Sequence, residues 1–366
     1  RVQLECVLFG EEILRYACIH PPTRGVSRRF TLEVKLGMLA IGAAGAGAYA
    51  PNLGMLRTQR SHTNAYAAPC AAGEVPWPDE PCQPARAAAV AASDFLRANL
   101  PAFDKPNEAT LFNGGLVGPT VNLSLTARQR FGWAARVPRA VWQDAVLPYA
   151  SANEARTDWR QLLWRELLPI VGGLSNSSSL ATVALAVNAH AWAALGRFSG
   201  TGAVTFRAEQ TPLLFDPMST LLYGYASCTG ISLLYVDLLR TVGIPARLAG
   251  TPAWHGRPQD GNHNWVEVWL GPSAAAEQDL TGGWAFIEGA PAGGGEGFAR
   301  PCDKWFCSKA RFGVTSGPNR TRVFATAYDR AAAGGVSYPM AWDLANDDIA
   351  GVERTTLYEQ ACGSCP

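Results

Sequence analysis

The sequence predicts an α+β protein in which a helical lobe, carrying one cysteine-headed helix, packs on an antiparallel β-sheet. Three observations predict it. After Cys228, the residues Ile231, Leu234, Tyr235, Leu238, Leu239 and Val242 recur at helical spacing and mark a buried stripe. From Asn264 to Leu270 the pattern alternates instead, with Val266, Val268 and Leu270 on one face and Trp265, Glu267 and Trp269 on the other, as a strand requires. The helical segments precede residue 245 and the strands follow it, which separates helices from sheet.

Residues 1 to about 85 are rich in Ala, Gly and Pro, and Pro69, Pro76, Pro78, Pro81 and Pro84 forbid a continuous helix, so this stretch reads as leader plus linker. An alanine-rich helix is expected from Arg86 to Leu100, stopped by Pro101, and the folded body is expected to start there. Ser151-Ala-Asn-Glu154 has the form of a capping box and predicts a second helix ending at Leu168, before Pro169. A third helix is predicted over residues 177–196, with Leu180, Val183, Ala184 and Val187 at helical spacing and Gly196 at its stop; His190 on it reads as structural.

The fourth helix begins around Cys228, is ended by Gly243, and cannot resume through Pro245. Strands are expected over 246–251, 264–270 and 284–288, the last placing Trp284, Phe286 and Glu288 on one side. The tail, residues 301–366, is expected to add strands that close the lobe. The domain plan is therefore leader or linker over 1–85, the main domain over 86–300 and an extension packed on it over 301–366.

With 366 residues, 48% hydrophobic and 17% charged, the chain can bury a large core. A net charge of +1 and no basic run with interleaved aromatics argue against nucleic acid as a partner. The chain opens on Arg1 rather than Met, as expected of a processed terminus or an incomplete gene model. Arg24, Arg28, Arg29 and Lys35 precede an uncharged run from Leu36 to Ala50. That order suits a secretory or lumenal targeting signal near 24–50, with a Gly/Ala linker as the plain alternative. The run is too short for a stable membrane span, which takes roughly 20 apolar residues. Asn122-Leu-Ser, Asn176-Ser-Ser and Asn319-Arg-Thr fit passage through a glycosylating compartment.

Nine cysteines leave one unpaired if the rest bridge, and Cys228 is the natural odd one out. Cys70 with Cys82, Cys302 with Cys307 and Cys362 with Cys365 are each spaced to close a small loop in an oxidising compartment. Plain thiols, or a zinc site built from Cys302, Cys307, Cys362 and Cys365, are the alternatives.

A cysteine at a helix N-terminus lies where unpaired backbone N–H groups and the helix dipole favour negative charge, so its thiol ionises readily. The plain reading of Cys228 is a small buried hydrophobe. His263 changes the balance, because an imidazole at the head of a strand packed on that helix can take the thiol's proton; its own plain reading is a polar turn residue after Asp260-Gly261-Asn262. Glu288, on the next strand, is placed to orient the imidazole, unless it merely caps a strand end. His255 competes with His263 but sits in a Trp-His-Gly-Arg-Pro loop with no strand after it.

The block from Cys228 to Arg247 with its Gly-Ile-Pro-Ala-Arg ending, then His263-Asn-Trp-Val-Glu-Val-Trp, then Trp284-Ala-Phe-Ile-Glu288, resembles the transglutaminase-like superfamily of papain-related cysteine enzymes. A wider likeness, from about Pro138 to Pro291, is similar to bacterial transglutaminase-domain proteins of unassigned substrate. The resemblance implies a papain-like transglutaminase core in which Cys228 is the nucleophile, His263 the base and Glu288 the third, acidic member. It departs at Glu288, where the family commonly has Asp followed by Pro, and in a long connection from Leu270 to Gly283.

The expected function is therefore that of a thiol enzyme cleaving or transferring acyl groups at protein or peptide amides through an acyl-thioester, with hydrolysis favoured and no cofactor. Glutamine-lysine crosslinking is one alternative. A non-catalytic peptide or carbohydrate binder that keeps the fold and loses thiol reactivity is the other.

Overall fold

The structure, a computed structural model, describes residues 70–271, 282–293, 297–301, 314 and 316–362. The chain divides into residues 1–64 and a compact unit of 65–366, and every described residue belongs to the second. The segment near 24–50 expected to carry a targeting signal, Cys302, Cys307, Cys365 and the Cys362 side chain lie outside the described residues.

The helical lobe starts earlier than the proline pattern implies. Two short strands, β1 (Glu74–Val75) and β2 (Gln83–Pro84), pair antiparallel and are closed by a Cys70–Cys82 disulfide. This hairpin carries Trp77 into the body, where its ring meets Trp142 edge-on at 5.3 Å and the Arg128 guanidinium covers it at 4.0 Å. Residues 70–84 thus pack as part of the lobe, ahead of the boundary expected at 86. Helix α1 (Ala85–Ala98) buries Ala88, Ala92 and Leu96, a four-residue repeat that makes one narrow apolar stripe.

Short helices α2 (Glu108–Asn113), α4 (Gly132–Ala135) and α5 (Arg139–Ala145) flank the longer α3 (Val117–Arg130). Arg128, fully buried on α3, donates to the carbonyls of Pro76, Ala134, Ala135 and Val137, so one side chain satisfies the loose ends of three segments.

The capping-box expectation is corrected. Glu154 accepts the backbone N–H groups of Ser151 and Ala152, at 2.7 Å each, but no helix begins there, and the Ser151 hydroxyl has no hydrogen-bond partner among the described residues. Glu154 is instead drawn into a buried ion network, 3.6 Å from Arg156, which also binds Asp104 at 3.1 Å. The carboxylate closes a turn, and helix α6 starts later, running from Trp159 to Val171 through Pro169 in its last turn. Helix α7 (Leu180–Leu195) is capped by the Ser179 hydroxyl and ends at Gly196 as expected.

After α8 (Pro217–Tyr223) comes the cysteine helix, α9 (Cys228–Thr241). It lies between the other helices and the sheet, touching α6 and α7 on one side and strands β5 and β6, defined below, on the other. Arg160 of α6 donates to the carbonyl of Arg240, while Arg240 donates to those of Ala145, Ala150 and Ala246, which staples the α5–α6 connection to α9. Tyr235 donates to the Ala184 carbonyl of α7.

A parallel pair, β3 (Thr205–Phe206) and β4 (Tyr225–Ala226), precedes α9. The main sheet is antiparallel throughout, in the order β7 (Trp284–Ile287), β6 (His263–Trp269), β5 (Ala246–Thr251), β8 (Phe324–Thr326), β9 (Gly351–Glu353). The tail thus extends the sheet beyond β5. This is an α+β architecture.

Both sheet faces are covered, so every residue of β6 is buried despite its alternating pattern. Val266 and Val268 join the large core shared with α9, whereas Trp265 packs with Ala249, Trp254, Phe286, Val323, Ala325 and Tyr358 on the far side. There Glu267, wholly enclosed, accepts from Arg247 at 2.7 and 2.9 Å, Arg354 at 3.0 Å and the Tyr358 hydroxyl at 3.1 Å. Two guanidiniums and a hydroxyl replace the water this carboxylate lost. Tyr358 belongs to a C-terminal helix, Thr355–Cys362, which these contacts dock onto the sheet.

Candidate active site

The start of α9 is set by its approach. Gly224 takes a left-handed φ of 75° to end α8, β4 follows, and the Ser227 hydroxyl bonds Thr211 at 2.7 Å rather than capping the helix. The first-turn N–H groups of α9 are therefore not taken by that side chain. At Gly230 a Cβ would come within 2.6 Å of the Ala226 Cβ and 3.1 Å of the Phe215 Cα, so glycine lets the helix head seat closely in the fold. Every residue from Thr229 to Thr241 is buried; Cys228 alone keeps partial exposure. The one residue of this helix that is not fully buried is its cysteine.

His263 opens β6 opposite Thr251, and Glu288 follows the last residue of β7. His263 Nε2 donates to Glu288 Oε1 at 2.6 Å, with both side chains buried. The same ring interacts with the Cys228 thiol and shifts its titration. The structure thus brings Cys228, His263 and Glu288 into one chain of contacts.

The electrostatics of the pair follow from that chain. Burial by itself would push the Cys228 thiol up, but the hydrogen bond and charge of His263, with the Asn264 backbone N–H and Thr229, hold it below the ordinary thiol value. Burial would likewise pull His263 down, yet its bonds to Cys228 and Glu288 lift it to about 9. Opposite shifts on two interacting groups favour the thiolate–imidazolium form of the pair over the neutral one.

Several supporting residues were not anticipated. The Asn264 carboxamide accepts from Thr229 at 2.8 Å and donates to the Tyr338 hydroxyl at 2.5 Å, tying the head of α9, β6 and the C-terminal extension together. Gly250 leaves room for this, since a Cβ there would stand 2.3 Å from Asn264 Nδ2 and 2.6 Å from the His263 carbonyl. Asn188 of α7 reaches the backbone on both sides of Gly289. Its sequence signal was a polar residue on the buried stripe of Leu180, Val183, Ala184 and Val187. Tyr338 had no signal, lying far along the chain in an irregular segment.

The competing histidines sit elsewhere in function. His255, with a left-handed φ of 54°, is bonded through Nδ1 to Asp260 at 2.7 Å. His190 is exposed on α7. Among the described residues the one cluster of metal-type ligands is Cys70, Glu74 and Cys82, and both of its sulfurs are committed to the disulfide. No helix among the described residues is long and apolar enough to cross a membrane.

Residues 199–288 match the family model of the transglutaminase-like superfamily, a stretch that ends at Glu288 and includes Cys228 and His263. That superfamily is typically enzymatic, and its chemistry is cysteine-dependent acyl transfer. No curated protein and no solved structure matches the chain.

Proposed function

We propose that this protein is a thiol hydrolase that opens a peptide or side-chain amide through an acyl-thioester at Cys228, with His263 as acid and base and Glu288 orienting the imidazole. One observation carries the reading: Cys228, which alone in α9 keeps partial exposure, interacts with an imidazole that a buried carboxylate holds from behind.

The chemistry follows from that arrangement. The thiolate attacks the amide carbonyl carbon, and a C–S bond forms as the carbonyl oxygen takes up negative charge. Uncapped N–H groups and the dipole at the head of α9 favour that charge. The His263 imidazolium passes its proton to the amide nitrogen, the C–N bond breaks, and the amine leaves. Neutral His263 then takes a proton from water as it attacks the thioester, so that the acid and the thiolate are released. Glu288 fixes the ring and favours its charged form throughout.

Cys228 keeps partial exposure, and water as the acceptor supports hydrolysis over transfer to an amine. The Cys70–Cys82 disulfide supports an oxidising, secreted or lumenal location. Iodoacetamide tests the reading. Rapid, pH-dependent alkylation confined to Cys228 is expected, with loss of turnover on a panel of amide substrates in Cys228→Ala and His263→Ala. Retained turnover in either folded variant, or an inert thiol, overturns it. Incorporation of a primary amine in place of water would move the assignment from hydrolase to transferase.

A further inference from the structure

We infer that Asn188 is a positioning residue for the acid of the site, holding the turn that carries Glu288 so that its carboxylate stays on His263. The inference rests on the proposed thiol chemistry and concerns how its third member is kept in place.

Glu288 stands just beyond the last paired residue of β7, so the sheet ladder no longer fixes its backbone. Its carboxylate is also held from one side only: Oε1 bonds His263, while Oε2 is buried and without a hydrogen-bond partner among the described residues. Glutamate adds a rotatable bond between backbone and carboxylate, which makes carboxylate placement sensitive to the backbone that carries it.

Asn188 supplies what the ladder does not. Its Nδ2 donates to the Glu288 carbonyl at 3.0 Å and its Oδ1 accepts the Ala290 N–H at 2.9 Å, so one carboxamide grips the turn on both sides of Gly289. One turn along α7, Trp192 donates to the same Oδ1 at 3.1 Å, which fixes the carboxamide's orientation. Gly289 is pressed between two helices, because a Cβ there would meet Ile231 Cγ2 at 2.7 Å and the Trp192 ring at 3.1 Å. The turn therefore registers against α7 and α9 at once, and α9 carries the nucleophile. Asn188 is wholly buried, its bonds among the described residues run to Glu288, Ala290 and Trp192, and it acts through Glu288.

The readout is the pH profile of Cys228 alkylation by iodoacetamide, with thermal melts alongside. Asn188→Ser shortens the side chain out of reach, and Ala290→Pro removes the N–H from the other end of the same grip at a half-buried turn position. Each is expected to move the acid limb of the profile up by about one pH unit, which is about tenfold less thiolate below the midpoint. For amide hydrolysis kcat falls and KM is unchanged. Tyr358→Phe, which loses the hydroxyl's bonds on the far face of the sheet, lowers the melting temperature and leaves the profile as in the wild type.

A wild-type profile in folded Ala290→Pro or folded Asn188→Ser overturns the inference, and a profile moved equally by Tyr358→Phe does the same. Should Asn188→Ser not fold, Ala290→Pro decides. An unreactive Cys228 in the unaltered protein is a different failure, that of the proposed thiol chemistry.

Discussion

His263 Nε2 and Glu288 Oε1 meet at 2.6 Å inside the protein, joining the head of one strand to the end of its antiparallel neighbour. The bonds of His263 to Cys228 and to Glu288 raise the imidazole's proton affinity, and His263 in turn holds the thiol below its ordinary value. Glu288→Gln keeps the shape and removes the charge. The expected result is a loss of about 10²- to 10⁴-fold in kcat, the range that follows loss of an orienting acid. Steady-state kinetics on any accepted amide checks it, and unchanged kcat excludes Glu288 from the site.

The opposed shifts of Cys228 and His263 set a pH window. A depressed thiol is ionised from below its ordinary range upward, and an imidazole lifted to about 9 stays protonated until that pH. Amide cleavage needs both states at once, so its rate should be bell-shaped, rising on the acid side and falling near pH 9. Alkylation needs only the thiolate and should keep its plateau above pH 9. A cleavage rate that still climbs beyond that point contradicts the assigned roles.

Removing either member of the pair should separate activity from stability differently. Cys228→Ala deletes a half-exposed thiol and should lower turnover by about three orders of magnitude or more, with a melting change of about 1 kcal/mol or less. His263→Ala deprives a buried carboxylate of its partner, so it should cost about 1–3 kcal/mol of stability as well as turnover. Calorimetry beside the kinetics distinguishes the two.

On the far face of the sheet, Arg354→Met takes one of two guanidiniums from an enclosed Glu267. Leaving that charge short of a partner should destabilise the protein by about 3–5 kcal/mol. The double variant Arg354→Met with Glu267→Gln should recover part of the loss. Chemical denaturation measures both, and equal losses in the single and double variants would contradict a charge-based cause.

The sequence made the local parts of this site legible and hid the tertiary ones. Cys228 and His263 each head a segment whose periodicity is plain, and Gly243 with Pro245 marks the break between them, so β5, β6 and α9 lie within a residue of where the pattern puts them. Ser151 to Glu154 misled because a capping box and a buried ionic turn use the same two residue types. Arg156, which decides between them here, acts through Asp104, a contact that local pattern does not reveal. Tyr338 was illegible for the same reason, and Asn188 showed only as a polar residue on an apolar stripe: each matters through a hydrogen bond to a distant segment, to Asn264 and to the turn at Glu288 respectively.

The order β7-β6-β5-β8-β9 has a consequence for how the protein matures. The strands that shield the open flank of β5, and the arginine and tyrosine that settle the buried acid on the histidine strand, are all encoded after the family-matched segment has been translated. A nascent or clipped chain stopping short of them would hold Cys228, His263 and Glu288 and still leave β5 unpaired on that flank and Glu267 without two of its donors. The sheet thus closes late in synthesis.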